Sequence, residues 1–201
     1  MSASAAIAAA LAGRCIKALV IGGSAGGVDA LLTLLPLLPA GFALPVLCIL
    51  HLPPDRTSRL AELFDQRVAL PVLEAADKMP IAPGTVYFAG AGYHLSVERD
   101  LSFSLSCEAP VHFARPAIDV LMQSAADAWG PGLAGVLVTG ANQDGAEGMA
   151  QIRKHGGLTI VQDPQEAQSP AMPLGAIARG AAQLVLPLAQ IGALLPMLEK
   201  S

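Results

Sequence analysis

The chain is poor in charge and in aromatic side chains: 14% of its 201 residues are Asp, Glu, Lys or Arg, and 4% are Phe, Trp or Tyr. With a net charge of −4 and no run of like charge, it lacks the basic surface that tracks a phosphate backbone, which sets nucleic-acid binding aside. It also lacks a long apolar run. Gly, Pro or a charge interrupts every hydrophobic stretch before the roughly 18 to 20 residues a spanning helix needs, so the mean hydropathy of +0.54 is read as the core of a soluble protein. Cys15, Cys48 and Cys107 are odd in number and widely spaced, which excludes a disulfide framework and points to a reducing compartment. His51, His94, His112 and His155 are scattered without H-x-x-x-H spacing and no C-x-x-C is present, so no metal is expected. Residues 1–13 are Ala-rich, but the first Arg follows the apolar run instead of preceding it, the reverse of a secretory signal. They are expected to form a short, frayed extension.

What the sequence has is hydrophobic residues, 53% of the total, in a length that suits one domain with one large core. Short β-branched runs at 18–21, 46–50, 85–88, 135–138, 159–161 and 184–186 alternate with helical periodicity at 27–35, 58–66, 118–129, 146–155 and 188–198. The expected fold is α/β: a doubly wound, mostly parallel sheet with helices on both faces, its strands nearly continuous apolar runs because both faces are covered. Residues 94–106 depart from this pattern. Two period-2 segments meet at Glu98 to Asp100, which predicts an antiparallel β-hairpin and, with it, a mixed sheet.

The sharpest motif is Gly22-Gly23-Ser24-Ala25-Gly26, between an apolar strand and a helical pattern. It fits G-x-S-x-G, in which a serine sits on a tight strand-to-helix turn with its hydroxyl presented at the carboxyl edge of the sheet. The N-terminus of the following helix would then lie beside the serine, suited to a developing oxyanion. Two phosphate-binding registers fail: counted from Gly22, the second glycine of a dinucleotide fingerprint falls on Ser24, and the lysine of a P-loop falls on Val28. The plain alternative is a glycine-rich turn whose serine caps the helix.

His51 follows the run 46–50, and Asp144 lies between the run 135–138 and the next helix, so three residues of the triad types end three parallel strands at one edge. Taken singly, a histidine after a strand reads as structural and an aspartate before Gly-Ala-Glu-Gly as a helix N-cap. Taken together with the serine turn they read as catalytic: Ser24 as nucleophile, His51 as general base, Asp144 as the group that orients the imidazole. Activity should then fall in acid as the imidazole takes up a proton. The chain order Ser, His, Asp differs from the three familiar triad orders.

At this point the sequence resembles the CheB family, the chemotaxis receptor protein-glutamate methylesterases. The matching segments are Ile21-Gly-Gly-Ser-Ala-Gly-Gly27, His51-Leu-Pro-Pro-Asp-Arg-Thr57, Pro83-Gly-Thr-Val-Tyr87, Ala114-Arg-Pro-Ala-Ile-Asp119, Thr139-Gly140 with Asp144-Gly-Ala-Glu-Gly-Met149, and Gln162-Asp-Pro164. The resemblance implies residues 1–15 as an N-terminal extension and 16–201 as a single catalytic domain of that type. It implies hydrolysis of glutamyl methyl esters on the cytoplasmic helices of a chemoreceptor (a methyl-accepting chemotaxis protein), with release of methanol, and in some members deamidation of receptor glutamines. It implies no cofactor, a cytoplasmic location, and Ser24, His51 and Asp144 at the family's triad positions.

The sequence departs from the pattern at Ala141-Asn142, where the family's usual Thr-Gly-Met-Gly has a bulky apolar residue and a glycine, and at Ala171, where the family has glycine before Met-Pro. The competing reading rests on the first of these: an interaction module in chemosensory signalling with damaged catalysis. Family members commonly carry a phospho-accepting receiver domain ahead of the esterase; against that pattern this chain is expected to be constitutively active, controlled by a separate regulatory protein, or part of a longer protein. Arg115 is expected to make a structural ion pair or cap a loop, and His94 and His112 are left outside the site.

Overall fold

The structure, a computed structural model, describes residues 3–51 and 58–200, without the side chains of Ala3 and Lys200. The segment Leu52 to Thr57, part of one family-like motif, lies outside the described residues. The chain order is α1 (Ala3–Leu11), β1 (Ala18–Gly23), α2 (Gly27–Leu34), β2 (Val46–Leu50), α3 (Leu60–Asp65), β3 (Val72–Glu74), β4 (Val86–Phe88), β5 (His94–Val97), β6 (Phe103–Ser106), α4 (Ile118–Trp129), β7 (Leu133–Leu137), α5 (Ala146–Lys154), β8 (Leu158–Gln162), α6 (Ala171–Ala178), β9 (Leu184–Leu186) and α7 (Leu188–Leu194).

Seven strands form one sheet in the order β3-β4-β2-β1-β7-β8-β9, every neighbouring pair parallel. The central strands β1, β2, β7 and β8 are buried along their whole length, which is why they carry apolar runs instead of alternation. Their side chains divide by parity. Leu19, Ile21, Val46, Cys48 and Val136 pack with α1, α2, α3 and α7, while Val20, Leu47, Ile49 and Leu137 pack with α4, α5 and α6. Burial of the Cys48 thiol in this core pushes its pKa far up, so it behaves as a small hydrophobe.

The hairpin is present, with Leu101 N–H donating to Glu98 O at its turn, but the expected mixed sheet is not: β5 and β6 form a separate two-stranded sheet. The reason is where their apolar face goes. Leu95, Val97 and Phe103 lie across the same face of the sheet as α4, and the Ser124 hydroxyl accepts the Val97 N–H at 3.1 Å. The hairpin therefore covers a face and does not extend an edge. Residues expected as a frayed extension form α1 instead, and Ala10 and Leu11 join the core.

The chain adds β2 and β4 on one side of β1 and β7, β8 and β9 on the other, so the topological switch point lies between β1 and β7. Loops leaving adjacent strands on opposite sides of such a point open a crevice at the carboxyl edge. Ser24 and Asp144 lie on those two loops, and His51 leaves the next strand over.

Candidate active site

At the end of β1 the chain turns sharply. Ser24 N–H donates to Thr139 O at 2.9 Å, and Gly27 N–H donates to Ser24 O at 2.7 Å. Gly26 makes the turn with φ +79°, a left-handed conformation in which glycine is unstrained. A Cβ there would meet the Gln168 side chain at 2.4 Å and Thr139 Cγ2 at 3.0 Å, so the loop is also closely covered. Gly26 is the N-cap of α2, with no side-chain hydrogen bond at the cap, and Ser24 Oγ has no hydrogen-bond partner among the described residues. The serine is therefore not a helix cap. Among the described residues the N–H groups of Ala25 and Gly26 have no acceptor either, and both lie at the positive end of α2.

Thr139, two residues beyond β7, fixes this loop from the other side of the switch point. Its hydroxyl donates to Ala25 O at 2.8 Å and accepts Ser169 N–H at 2.9 Å, while its own N–H donates to Gln162 Oε1 at 2.8 Å, at the end of β8. Three strand ends are thus tied together under the Ser24 turn. Thr139 and Gln162 stand in the family-like segments, but nothing in the linear sequence assigns them to each other.

His51 follows β2, and its N–H donates to Gly23 O at 3.4 Å, which places it beside the residue preceding Ser24. Its Nε2 lies 2.7 Å from Asp144 Oδ2, with the imidazole 13% exposed and the carboxylate fully buried. An ionised carboxylate only accepts, so Nε2 carries the hydrogen and Nδ1 is left as the proton acceptor.

Asp144 accepts three further hydrogen bonds: Ile118 N–H at Oδ2, 2.7 Å, and Asp119 N–H and Gly145 N–H at Oδ1, each 2.9 Å. Burial by itself would raise this carboxyl, but the His51 hydrogen bond, the Asp119 and Ile118 amides and the imidazole charge outweigh it and hold the pKa below the usual carboxylate range. The reading of Asp144 as the N-cap of the helix that follows it does not hold. The cap of α5 is Gly145, with no side-chain bond, while Asp144 caps the neighbouring helix α4.

Asp119, in the first turn of α4, is 4% exposed and accepts Gly148 N–H at 2.7 Å, with His112 Nε2 3.4 Å from its other oxygen. Burial raises its pKa, the charge of Asp144 raises it further, and the Gly148 amide and His112 offset part of the rise. Sequence reasoning weighed His112 and left it outside the site, and it passed over Asp119. An acidic side chain in the first turn of a helix that starts at the active edge was the available signal for Asp119; for His112 there was none. His112, Asp119 and Asp144 place ligand-type atoms within 4.8 Å of one another, but both Asp144 oxygens and one Asp119 oxygen are already engaged with backbone amides and His51.

Arg115 caps a loop, as one of its two expected roles had it, donating to Cys107 O and Glu108 O at 3.1 Å each. His94 is buried, with Nδ1 accepting Ala117 N–H and Nε2 3.1 Å from Ala109 O. Ala141 is exposed, and Asn142 Oδ1 accepts Asp144 N–H at 3.2 Å, so the asparagine shapes the turn that presents the aspartate.

Comparison with known proteins identifies the family. Residues 19–195 match the family model for CheB methylesterase. A putative protein-glutamate methylesterase/protein-glutamine glutaminase of Leptospira interrogans (serovar copenhageni) is 39% identical over 185 residues, covering 92% of this chain and 96% of that one. A protein-glutamate methylesterase/protein-glutamine glutaminase of Symbiobacterium thermophilum is 41% identical, and protein-glutamate methylesterase FrzG of Myxococcus xanthus 39%; this chain covers 87% of itself in both matches but about half of those longer proteins, 48% and 52%. The crystal structure of the Thermotoga maritima CheB methylesterase catalytic domain superposes with a TM-score of 0.86 at 32% identity, over 92% of this chain and 99% of that one. A family match over most of the chain, relatives at about 40% identity and the shared fold together establish that this chain belongs to the CheB methylesterase family.

Proposed function

We propose that this chain hydrolyses methyl esters of glutamate side chains on a chemoreceptor, and the corresponding glutamine amides, with Ser24, His51 and Asp144 as its catalytic residues. The observation that carries the proposal is the 2.7 Å His51–Asp144 bond, held at the carboxyl edge beside a serine whose hydroxyl has no structural partner among the described residues.

The chemistry follows from the geometry. Ser24 Oγ attacks the ester carbonyl as His51 Nδ1 takes its proton, and the imidazolium is stabilised by Asp144. The carbonyl oxygen, now an anion, is met by the N–H groups of Ala25 and Gly26. As the tetrahedral centre collapses, His51 returns the proton to the departing methoxide and methanol leaves, with the glutamyl group on Ser24. Water, deprotonated by the same nitrogen, then releases the glutamate and restores the serine. From an amide the leaving group is ammonia.

The relatives' names support a glutamate or glutamine side chain of a protein as the substrate, and action on a receptor in the cytoplasm is part of the proposal; among the described residues no helix is long and apolar enough to cross a membrane. We take residues 16–201 as the catalytic unit. The reading as a damaged interaction module draws no support from Ala141 and Asn142, since the first is exposed and the second supports the Asp144 turn.

Reaction with a fluorophosphonate tests the assignment. Labelling of the wild type that is lost in Ser24→Ala and strongly slowed in His51→Ala is expected; equal labelling of Ser24→Ala would exclude Ser24 as the nucleophile.

A further inference from the structure

Phe113 is fully exposed, at 105%, in a chain with only five phenylalanines, the other four of which are buried. It stands at the tip of a tight turn closed by reciprocal hydrogen bonds, Val111 N–H to Ala114 O at 3.1 Å and Ala114 N–H to Val111 O at 2.9 Å. Both tip residues are left-handed, His112 at φ 49° and Phe113 at φ 62°, where glycine or asparagine is the usual choice. The sequence thus places an aromatic ring where turn chemistry disfavours one, and places it in water.

The turn is mounted on the active site. The His112 ring lies 3.4 Å from Asp119 and within 4.8 Å of the Asp144 carboxylate that holds His51. The Arg115 guanidinium ties the base of the loop to Cys107 O and Glu108 O, and Arg115 O accepts Gly92 N–H at 3.3 Å. That last bond joins the turn to the loop carrying Tyr93, itself 47% exposed, and His94 locks the same two segments through Ala109 and Ala117. Two exposed aromatic residues therefore stand on interlocked loops, one of them beside the catalytic aspartate.

From this placement we infer that Phe113, supported by Tyr93, is a specificity-determining residue that packs against apolar side chains flanking the modified glutamate on a substrate helix. The inference rests on the function proposed above and names how a protein substrate is held. A methyl ester by itself needs no contact outside the catalytic crevice, whereas a glutamate on a helix brings neighbours three and four residues away onto the same face. A preset aromatic ring is the side chain best suited to anchor such a surface at small entropic cost. The net charge of −4 gives no long-range attraction to a helix that carries glutamates, so short-range contact of this kind is suited to holding it.

The test compares Phe113→Ala with wild type on methylated chemoreceptor membranes and on a small fluorophosphonate. The expected result is a rise in receptor KM of about tenfold or more with kcat little changed, largely restored in Phe113→Leu, while Ser24 is labelled within about twofold of the wild-type rate. An unchanged receptor KM, or a parallel loss of labelling, overturns the inference. Wild type that labels at Ser24 yet releases no methanol from receptor overturns the parent proposal and this inference with it; active wild type with an equally active Phe113→Ala overturns this inference alone.

Discussion

Asp144 and Asp119 cap each other's helices. Asp144, just ahead of α5, accepts the N–H groups of Ile118 and Asp119 at the start of α4, and Asp119, in α4, accepts the N–H of Gly148 at the start of α5. The carboxylate that holds His51 is thereby fixed where α4 and α5 begin, so any catalytic role proposed for it is joined to a structural one.

Asp144→Ala leaves three buried amides without an acceptor, and each costs about 1–3 kcal/mol when unpaired, so thermal unfolding should show a large loss of stability. Asp144→Asn keeps a carbonyl oxygen and should lose less. Both should lower kcat by about 10³-fold or more, the Asn variant because its amide cannot stabilise an imidazolium. Calorimetry and steady-state kinetics on the same preparations separate the two effects; full activity in Asp144→Asn would contradict the role.

The two carboxyls act in opposite directions on stability. Asp144 is depressed in the folded state, so its contribution is present above the unfolded value of about 3.9 and is lost as pH falls through the lower folded value. Asp119 is raised, so the folded protein binds its proton more tightly and loses stability as pH rises from the unfolded value through the folded one. Asp119→Asn, which still offers an oxygen to Gly148 N–H, should therefore gain in Tm relative to wild type as pH rises from about 4 towards neutrality. A difference in Tm that is flat or of opposite slope would contradict this.

How much of this was legible depended on how local each signal was. The strands at 46–50 and 184–186 and the helix at 118–129 stand where periodicity puts them, because continuous apolar runs and a strong amphipathic face are local properties. β3 was missed: three residues after Pro71, two of them exposed, carry no pattern. α6 was hidden by Pro173 and Gly175, which read as breakers, although a proline in the first helical turn costs no hydrogen bond. α1 was underrated since its evidence is alanine content, a propensity signal without an amphipathic face. Ser24, His51 and Asp144 stand out in the sequence because each lies on a loop that follows an apolar strand. Thr139, Gln162 and His112 do not, since their partners are remote in sequence, and Asp119 offers only its place in the first turn of a helix.

The Ser24 turn should tolerate little change. Gly26→Ala forces a side chain into a left-handed position against Gln168 and Thr139, and should cost about 1–2 kcal/mol with a marked fall in kcat. Thr139→Val removes the hydroxyl that joins Ala25 O and Ser169 N–H, and should cost about 1–3 kcal/mol while displacing the oxyanion donors. A fluorophosphonate labelling rate that is unaltered in both variants would show that the turn's geometry does not govern reactivity.

The central claim is tested most directly by release of labelled methanol from methylated chemoreceptor membranes, wild type against Ser24→Ala. The account predicts release by the wild type and a loss of about 10⁴-fold or more in the variant, with the fold unchanged by circular dichroism. Release that persists in Ser24→Ala, or none from folded wild type that still labels at Ser24, would contradict it.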